Sequence, residues 1–398
     1  MNQEKNAGAR IIILFFAIFL VGIGFSIIMP ILPYYAESMG ASAFQLGLLM
    51  MVYALCQFAF APFWGAYSDK VGRKPLLIVG LIGISLTFIL FALSTSLWML
   101  FAARIAGGIL SCATMPAAMA YVADSTSLEK RGKSMGLIGA SMGMGMVFGP
   151  AIGGLLSHIS LSLPFLVAGS LAAVNCLAVL LFLKESLPSK NRIQSVKVKR
   201  APLLKGLSSP LMLFFILMLL ASIGESTNHG TCALFAEGKL GIGVADIGWV
   251  YTCAGIVAVF VQGIVVGRMI ERYGEETTVK TGLAIMIFSF VLALNAFNLI
   301  TLMVFMAVFS LGGGLIRPAL TTAVSKRAKT QQGTTLGILQ GYDSLGRAIG
   351  PALGGFLLDI NINYAYISAV FFSVLALSVL LLDGRREVAE EECPGLIE

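Results

Sequence analysis

Five ionisable side chains stand inside stretches that are otherwise apolar: Arg104, Glu225, Arg317, Asp343 and Arg347. In hydrocarbon each costs about 3 kcal/mol on insertion scales, on the order of 15 kcal/mol together before any pairing. A cost of that size implies a use. Asp343 and Arg347 are one helical turn apart on the same face, which predicts an ion pair that keeps the acid charged. Glu225 has no such neighbour within its own stretch, and that isolation makes it the candidate for taking up and releasing a proton. His229, one turn beyond Glu225, could relay that proton or hydrogen-bond a ligand; a packed neutral histidine is the alternative.

The elements that must position these groups follow from composition. Hydrophobic residues make up 58% of the 398-residue chain and charged residues 12%, against about 25% charged in soluble domains. A bilayer span needs about 20 apolar residues and bonds its own backbone. Twelve such spans are predicted, near 11–36, 44–67, 75–95, 97–123, 133–157, 163–183, 210–235, 245–270, 279–298, 301–324, 333–358 and 364–382. Runs such as 76–90 lack the alternation of a membrane barrel strand, so the class is all-α integral membrane. With this topology every Lys and Arg lies on one side except Arg104, Arg317 and Arg347 within spans and Lys239 opposite. The positive-inside rule then places both termini in the cytoplasm. The pI near 9.1 reports orientation, because the basic residues are scattered over short loops, and a nucleic-acid partner is not expected.

The first apolar run is too long for a signal-peptide core and is read as a span. Cys56, Cys112, Cys176, Cys232 and Cys253 fall in spans and Cys393 in the C-terminal segment, so no external disulfide is expected. Residues 184–209, with seven basic side chains against Glu185, form a cytoplasmic linker between an N-terminal unit (1–183) and a C-terminal unit (210–383); 384–398 reads as a disordered tail. Gly132-Lys133-Ser134 lacks the spacing and the preceding strand of a phosphate loop, so no nucleotide is expected. Met142, Met144 and Met146 spread around a helix and read as packing, not as a metal site. No cofactor is implied.

The two units are copies. Gly136, Gly145, Gly149, Pro150, Gly153 and Gly154 return 201 residues later as Gly337, Gly346, Gly350, Pro351, Gly354 and Gly355. Gly65, Asp69 and Gly72 return as Gly267, Glu271 and Gly274. The five buried charges do not repeat: Glu225 corresponds to Phe25, Arg104 to Met306, Arg317 to Met115, Asp343 to Met142 and Arg347 to Met146. The scaffold accepts an apolar residue at each place, so the charges serve something other than the scaffold.

Gly65 to Lys74, with Asp69, Gly72 and Arg73, resembles the signature loop between spans 2 and 3 of the major facilitator superfamily. The glycine-proline pattern of span 5 resembles the motif that marks proton-coupled antiporters within it. Gly145, Gly149 and Gly153 fall four apart, clearing one face for close helix packing, and Pro150 bends the span. Arg104, followed by Gly107 and Gly108, is similar to the fourth-helix motif associated with proton coupling; a buried Arg bonding helix carbonyls is the alternative. Arg317-Pro318 resembles the bacterial multidrug exporters, with one departure: the acid expected three residues before this Arg is Gly314.

The resemblance implies the major facilitator fold, two six-helix bundles with the substrate site between them near mid-membrane, and the span 2–3 loop acting as a cytoplasmic latch. It implies a proton-coupled antiporter exporting amphipathic small molecules from a bacterial cytoplasm, acting as a monomer and not as an enzyme. Glu225, Asp343, Arg347 and Arg104 would serve proton coupling. Arg317, His229, Phe25, Tyr34, Tyr53, Tyr121, Phe148 and Tyr342 would line the cavity. The alternatives are a transporter of a sugar, metabolite or metal chelate, and a non-transporting membrane sensor.

Overall fold

The structure is a computed structural model that describes residues 2–126, 128–187, 211–327 and 332–392. Most of the expected linker, from 188, and the end of the expected tail with Cys393 lie outside the described residues. Among the described residues there is no strand. The helices are α1 (Asn2–Glu37), α2 (Ala43–Val71), α3 (Arg73–Ala92), α4 (Leu97–Ser111), α5 (Thr114–Ser125), α6 (Leu128–Ser157), α7 (Leu163–Phe182), α8 (Met212–Leu240), α9 (Val244–Phe260), a π turn (Val261–Val265), α10 (Val266–Leu294), α11 (Leu299–Arg327), α12 (Gln332–Ile360) and α13 (Tyr364–Glu392).

Ten helical segments are long and apolar enough to cross a membrane, against the twelve spans expected. Two features account for the difference. Residues Val244–Leu294 run as one segment of 51, turned sharply inside α10 at Gly274, where φ is +78°. Helix α12 carries Asp343, Arg347 and Asp359 and is not among the apolar segments. At the C-terminus the helix continues through Glu392 instead of ending at 383, because Arg385-Arg386 and the run Ala389–Glu392 are strong helix formers.

Glycine sets the turns in a repeating way. The four positive-φ glycines among the described residues are Gly40 (+79°), Gly72 (+115°), Gly241 (+66°) and Gly274 (+78°). They form two pairs under the internal repeat, Gly40 with Gly241 and Gly72 with Gly274, so each copy turns at the same places. Most buried side chains gather into two large clusters, with a third, small one of Val261, Val266 and Leu315. One, in the N-terminal half, is built on Ile27, Phe91, Phe165 and Tyr121. The other, in the C-terminal half, is built on Phe215, Phe235, Phe290, Phe305 and Tyr366.

Among the described residues, the tightest contacts between the halves lie toward one end. Near Glu37, a Cβ added at Gly355 would strike the backbone of Ala43, and one at Gly47 the backbone of Pro351; Gly154 and Gly248 lie against each other along a second seam. At the end carrying Asp69, by contrast, Gly65, Gly136, Gly139, Gly263 and Gly267 have nothing within 4 Å. In this conformation Gly65 and Gly136 face open space. Gly337 is likewise exposed.

Candidate functional site

Three helices of the C-terminal half bring four of the five buried charges together. Arg317 of α11 places Nη2 3.1 Å from Glu225 Oε2 on α8 and 3.0 Å from Asp343 Oδ1 on α12. Arg347, one turn after Asp343, reaches its other oxygen at 3.2 Å. Asp343 also accepts hydrogen bonds from Ser222 Oγ (2.7 Å) and Gln340 Nε2 (3.0 Å). Two carboxylates and two guanidinium groups compensate one another in a space with few other charges.

Glu225 is therefore not solitary. Pairing within a helix can be read from spacing, but Arg317 comes from another helix 92 residues away. The two acids still differ. Asp343 is 2% exposed and fully occupied by donors, whereas the Glu225 side chain is 26% exposed. His229 Nε2 lies 3.9 Å from Glu225 Oε1, its ring edge-on to Phe309, while its buried Nδ1 has no hydrogen-bond partner. A small cavity of about 140 Å³ adjoins the network, lined by Met218, Arg317, Thr321, Leu339, Gln340 and Asp343 among others.

Arg104 is in the other half. It is 6% exposed, its Nε has no hydrogen-bond partner, and its guanidinium lies 5.0 Å from the Tyr53 ring and 5.2 Å from the Phe91 ring. Those two π faces solvate the charge in place of a carboxylate. The Tyr53 hydroxyl meets Ser111 Oγ at 3.1 Å and accepts from Gln57, and Phe25, 37% exposed, approaches the Tyr53 ring at 6.4 Å. The Arg104–Tyr53 group belongs to the N-terminal half and the four-charge network to the C-terminal half.

Three of the expected cavity aromatics are placed otherwise. Tyr34 is buried in the closed seam, donating to Ile242 O at 2.9 Å across the halves. Tyr121 is fully buried in the N-terminal core and donates to Lys184 O. Tyr342 stacks on Phe215 inside the C-terminal core. Each sits on the packed face of its helix, which residue type alone does not distinguish from the open face. Phe148 is exposed and edge-on to Phe19.

The glycine faces act alike in both copies. Gly145, Gly149 and Gly153 clear room for α1, and Gly346, Gly350 and Gly354 for α8; a Cβ at Gly149 would fall on Ser26 Oγ and one at Gly350 on Ser226 Oγ. Those two serines are repeat mates, and each donates to the matching glycine carbonyl: Ser26 to Gly145 O at 3.1 Å and Ser226 to Gly346 O at 3.0 Å. Pro150 lies against Gly248 and Pro351 against Gly47 and Gly230.

In the signature loop, Asp69 pairs with Arg73 at 2.6 Å, and Arg73 also pairs with Asp124 at 2.9 Å while Glu185 accepts from the backbone N–H of Arg73. Among the described residues, the loop's ties lie within its own half. Under the repeat, Arg73 corresponds to Glu275 and Asp124 to Lys326, which also form an ion pair. The site has been kept and its polarity reversed. Sequence reading missed Ser222, Gln340 and Asp124; the first two carry a signal, being polar residues one turn from Glu225 and Asp343.

A model of the Major Facilitator Superfamily matches residues 14–235 and 214–395. The chain is 33% identical over 388 residues to Multidrug resistance protein 2 of Bacillus subtilis (strain 168), covering 96% of each. It is 27% identical over 384 residues to Quinolone resistance protein NorA of Staphylococcus aureus (strain MSSA476), covering 96% of this chain and 98% of that one. Among solved structures, the nucleoside transporter NupG (D323A mutant) superposes with a TM-score of 0.80 at 14% identity, over 94% of this chain and 99% of the other.

Proposed function

The chain belongs to the major facilitator superfamily, and we propose that within it this protein exports amphipathic small molecules in exchange for protons across a bacterial plasma membrane. Relatives named for multidrug and quinolone resistance support drug-like substrates. The observation that carries the coupling is the shared guanidinium: Arg317 holds Glu225 and Asp343 at once. A proton on Glu225 removes one of its two anions, weakening the tie between α8 and α11 while Asp343 keeps Arg317 in place. Substrate and proton can then compete for the same rearrangement, which is what exchange requires. His229 stands where it could pass the proton, and Arg104 supplies a fixed positive field from the N-terminal half.

Twelve spans in two six-helix bundles remain our reading. A segment of 51 residues would be about 77 Å long if straight, more than twice a bilayer core of about 30 Å, so α9–α10 counts as two spans. Helix α12 is long enough to count as another despite its charges. The units are 1–183 and 210–383, joined by the 184–209 linker and followed by 384–398. The basic loops place the Asp69 end and both termini in the cytoplasm. The closed seam is then the outer one, and the open end receives substrate from inside. We read the protein as a monomer.

The test is dye and antibiotic efflux from cells lacking their own pumps, comparing the parent with Glu225→Gln. Loss of gradient-driven efflux at equal expression is expected. Full efflux by the variant would remove Glu225 from the mechanism.

A further inference from the structure

At the closed end, the N-terminus of α2 is capped by a residue of the other half. Asp359, in the last turn of α12, accepts from the backbone N–H of Ala43 through Oδ1 and of Phe44 through Oδ2, both at 2.9 Å. Ser42 accepts from Gln45 N and Gln45 returns the bond to Ser42 N, completing a capping box. All four N–H groups that open the helix, from Ser42 to Gln45, are thus satisfied, two of them only while the halves touch. Gly355, one turn before Asp359, makes the approach possible, because a side chain there would collide with Ala43. The rings of Phe44 and Phe356 meet edge-on at 5.8 Å beside it.

The second seam has no such device. The repeat mate of Asp359 is His158, which is exposed, and the helix it corresponds to opposing, α9, begins at Gly243 with no side-chain cap. The cavity beside Asp359, about 310 Å³, is also lined by Glu37 and Glu237, repeat mates on α1 and α8. Asp359 therefore shares this cavity with two further carboxyl groups, and the backbone donors of α2 are the partners that hold its own carboxylate.

We propose that Asp359 is a positioning residue for transport: a latch that holds the outer side shut by capping α2 from across the interface and must release that cap each time the protein opens outward. Calling this side outer rests on the orientation proposed above. When the halves separate, the two N–H groups pass to water and the attraction between the helix N-terminus and the carboxylate is lost. The latch therefore biases the equilibrium between the two open states without touching substrate or proton carrier.

The test uses the full chain in a background lacking its native cysteines, with Ala41→Cys in the cavity as reporter and Ser160→Cys at the far loop as control. Labelling by a membrane-impermeant maleimide is followed in intact cells and in inside-out vesicles. Asp359→Ala should raise the Ala41→Cys labelling rate about two- to thirtyfold, the range a lost helix cap confers, and leave the Ser160→Cys rate unchanged. Asp359→Asn, which keeps an acceptor oxygen but loses the charge, should fall between. Equal labelling of parent and Asp359→Ala overturns the latch. A parallel rise at both cysteines overturns it too, since general loosening would then be the cause. Were Ala41→Cys to react only in inside-out vesicles, the orientation would be wrong, while the ratio of variant to parent would still decide the latch.

Discussion

Arg317 is the residue on which the buried charges depend. It bonds both acids, and removing it leaves Glu225 with His229 alone among the described residues, whereas Asp343 retains Arg347, Ser222 and Gln340. Breaking one partner of a buried pair costs about 3–5 kcal/mol, less here because the Arg317 and Glu225 side chains are 40% and 26% exposed. Arg317→Met should therefore lower the melting temperature of detergent-purified protein and abolish efflux. The double variant Arg317→Met with Glu225→Gln should recover most of the thermal stability and none of the transport. Equal melting temperatures for the single and double variants would show that the pair contributes nothing to folding. Arg347→Met should be milder, since Asp343 keeps three other partners; a loss matching that of Arg317→Met would contradict this ranking.

At the scale of elements, the repeat makes an experiment in which one half predicts the other. Arg73–Asp124 and Glu275–Lys326 are the same joint with opposite polarity. Arg73→Glu and Asp124→Lys should each reduce membrane expression, and their combination should restore it, because the C-terminal half already holds that arrangement. Failure of the double variant with loss of folding would mean that the Glu185 cap on α3 or Asp69 requires the arginine. The glycine faces give a second case. Gly149→Leu and Gly350→Leu would drive a side chain into Ser26 and Ser226 respectively, costing about 1–3 kcal/mol or more. The two should destabilise alike in a thermal-shift measurement; a large difference would mean that the copies no longer pack in the same way.

These elements also mark how far the sequence could be read. Helix class, the duplicated glycines and the Asp343–Arg347 spacing depend on residues near in sequence, or on a repeat that marks itself, and they are visible without coordinates. The partnership of Glu225 with Arg317 and the trans cap by Asp359 depend on which helix faces which, and spacing along one helix is silent about that. The aromatics show the same limit: Tyr34 and Phe25 lie on one apolar helix, yet one seals the interface and the other faces Tyr53.

For the whole molecule, transport requires the closed seam to open while the open end closes, each half moving as a body against the other. The structure holds one such state, with Phe44 against Phe356 at the closed end and Gly65 and Gly267 facing open space at the other. Cysteines at positions 44 and 356, in a background free of native cysteines, should cross-link readily under mild oxidation. Cross-linked protein should still bind a fluorescent substrate from the Asp69 side but carry none across, and reduction should restore efflux. Cysteines at 136 and 267, on the two sides of the α6–α9 seam, should cross-link poorly at rest and more readily when a proton gradient and substrate drive turnover, because closing that end must bring those two helices together there. Undiminished efflux by protein locked at 44 and 356 would mean that the seam between α2 and α12 stays shut throughout the cycle and that the path lies elsewhere.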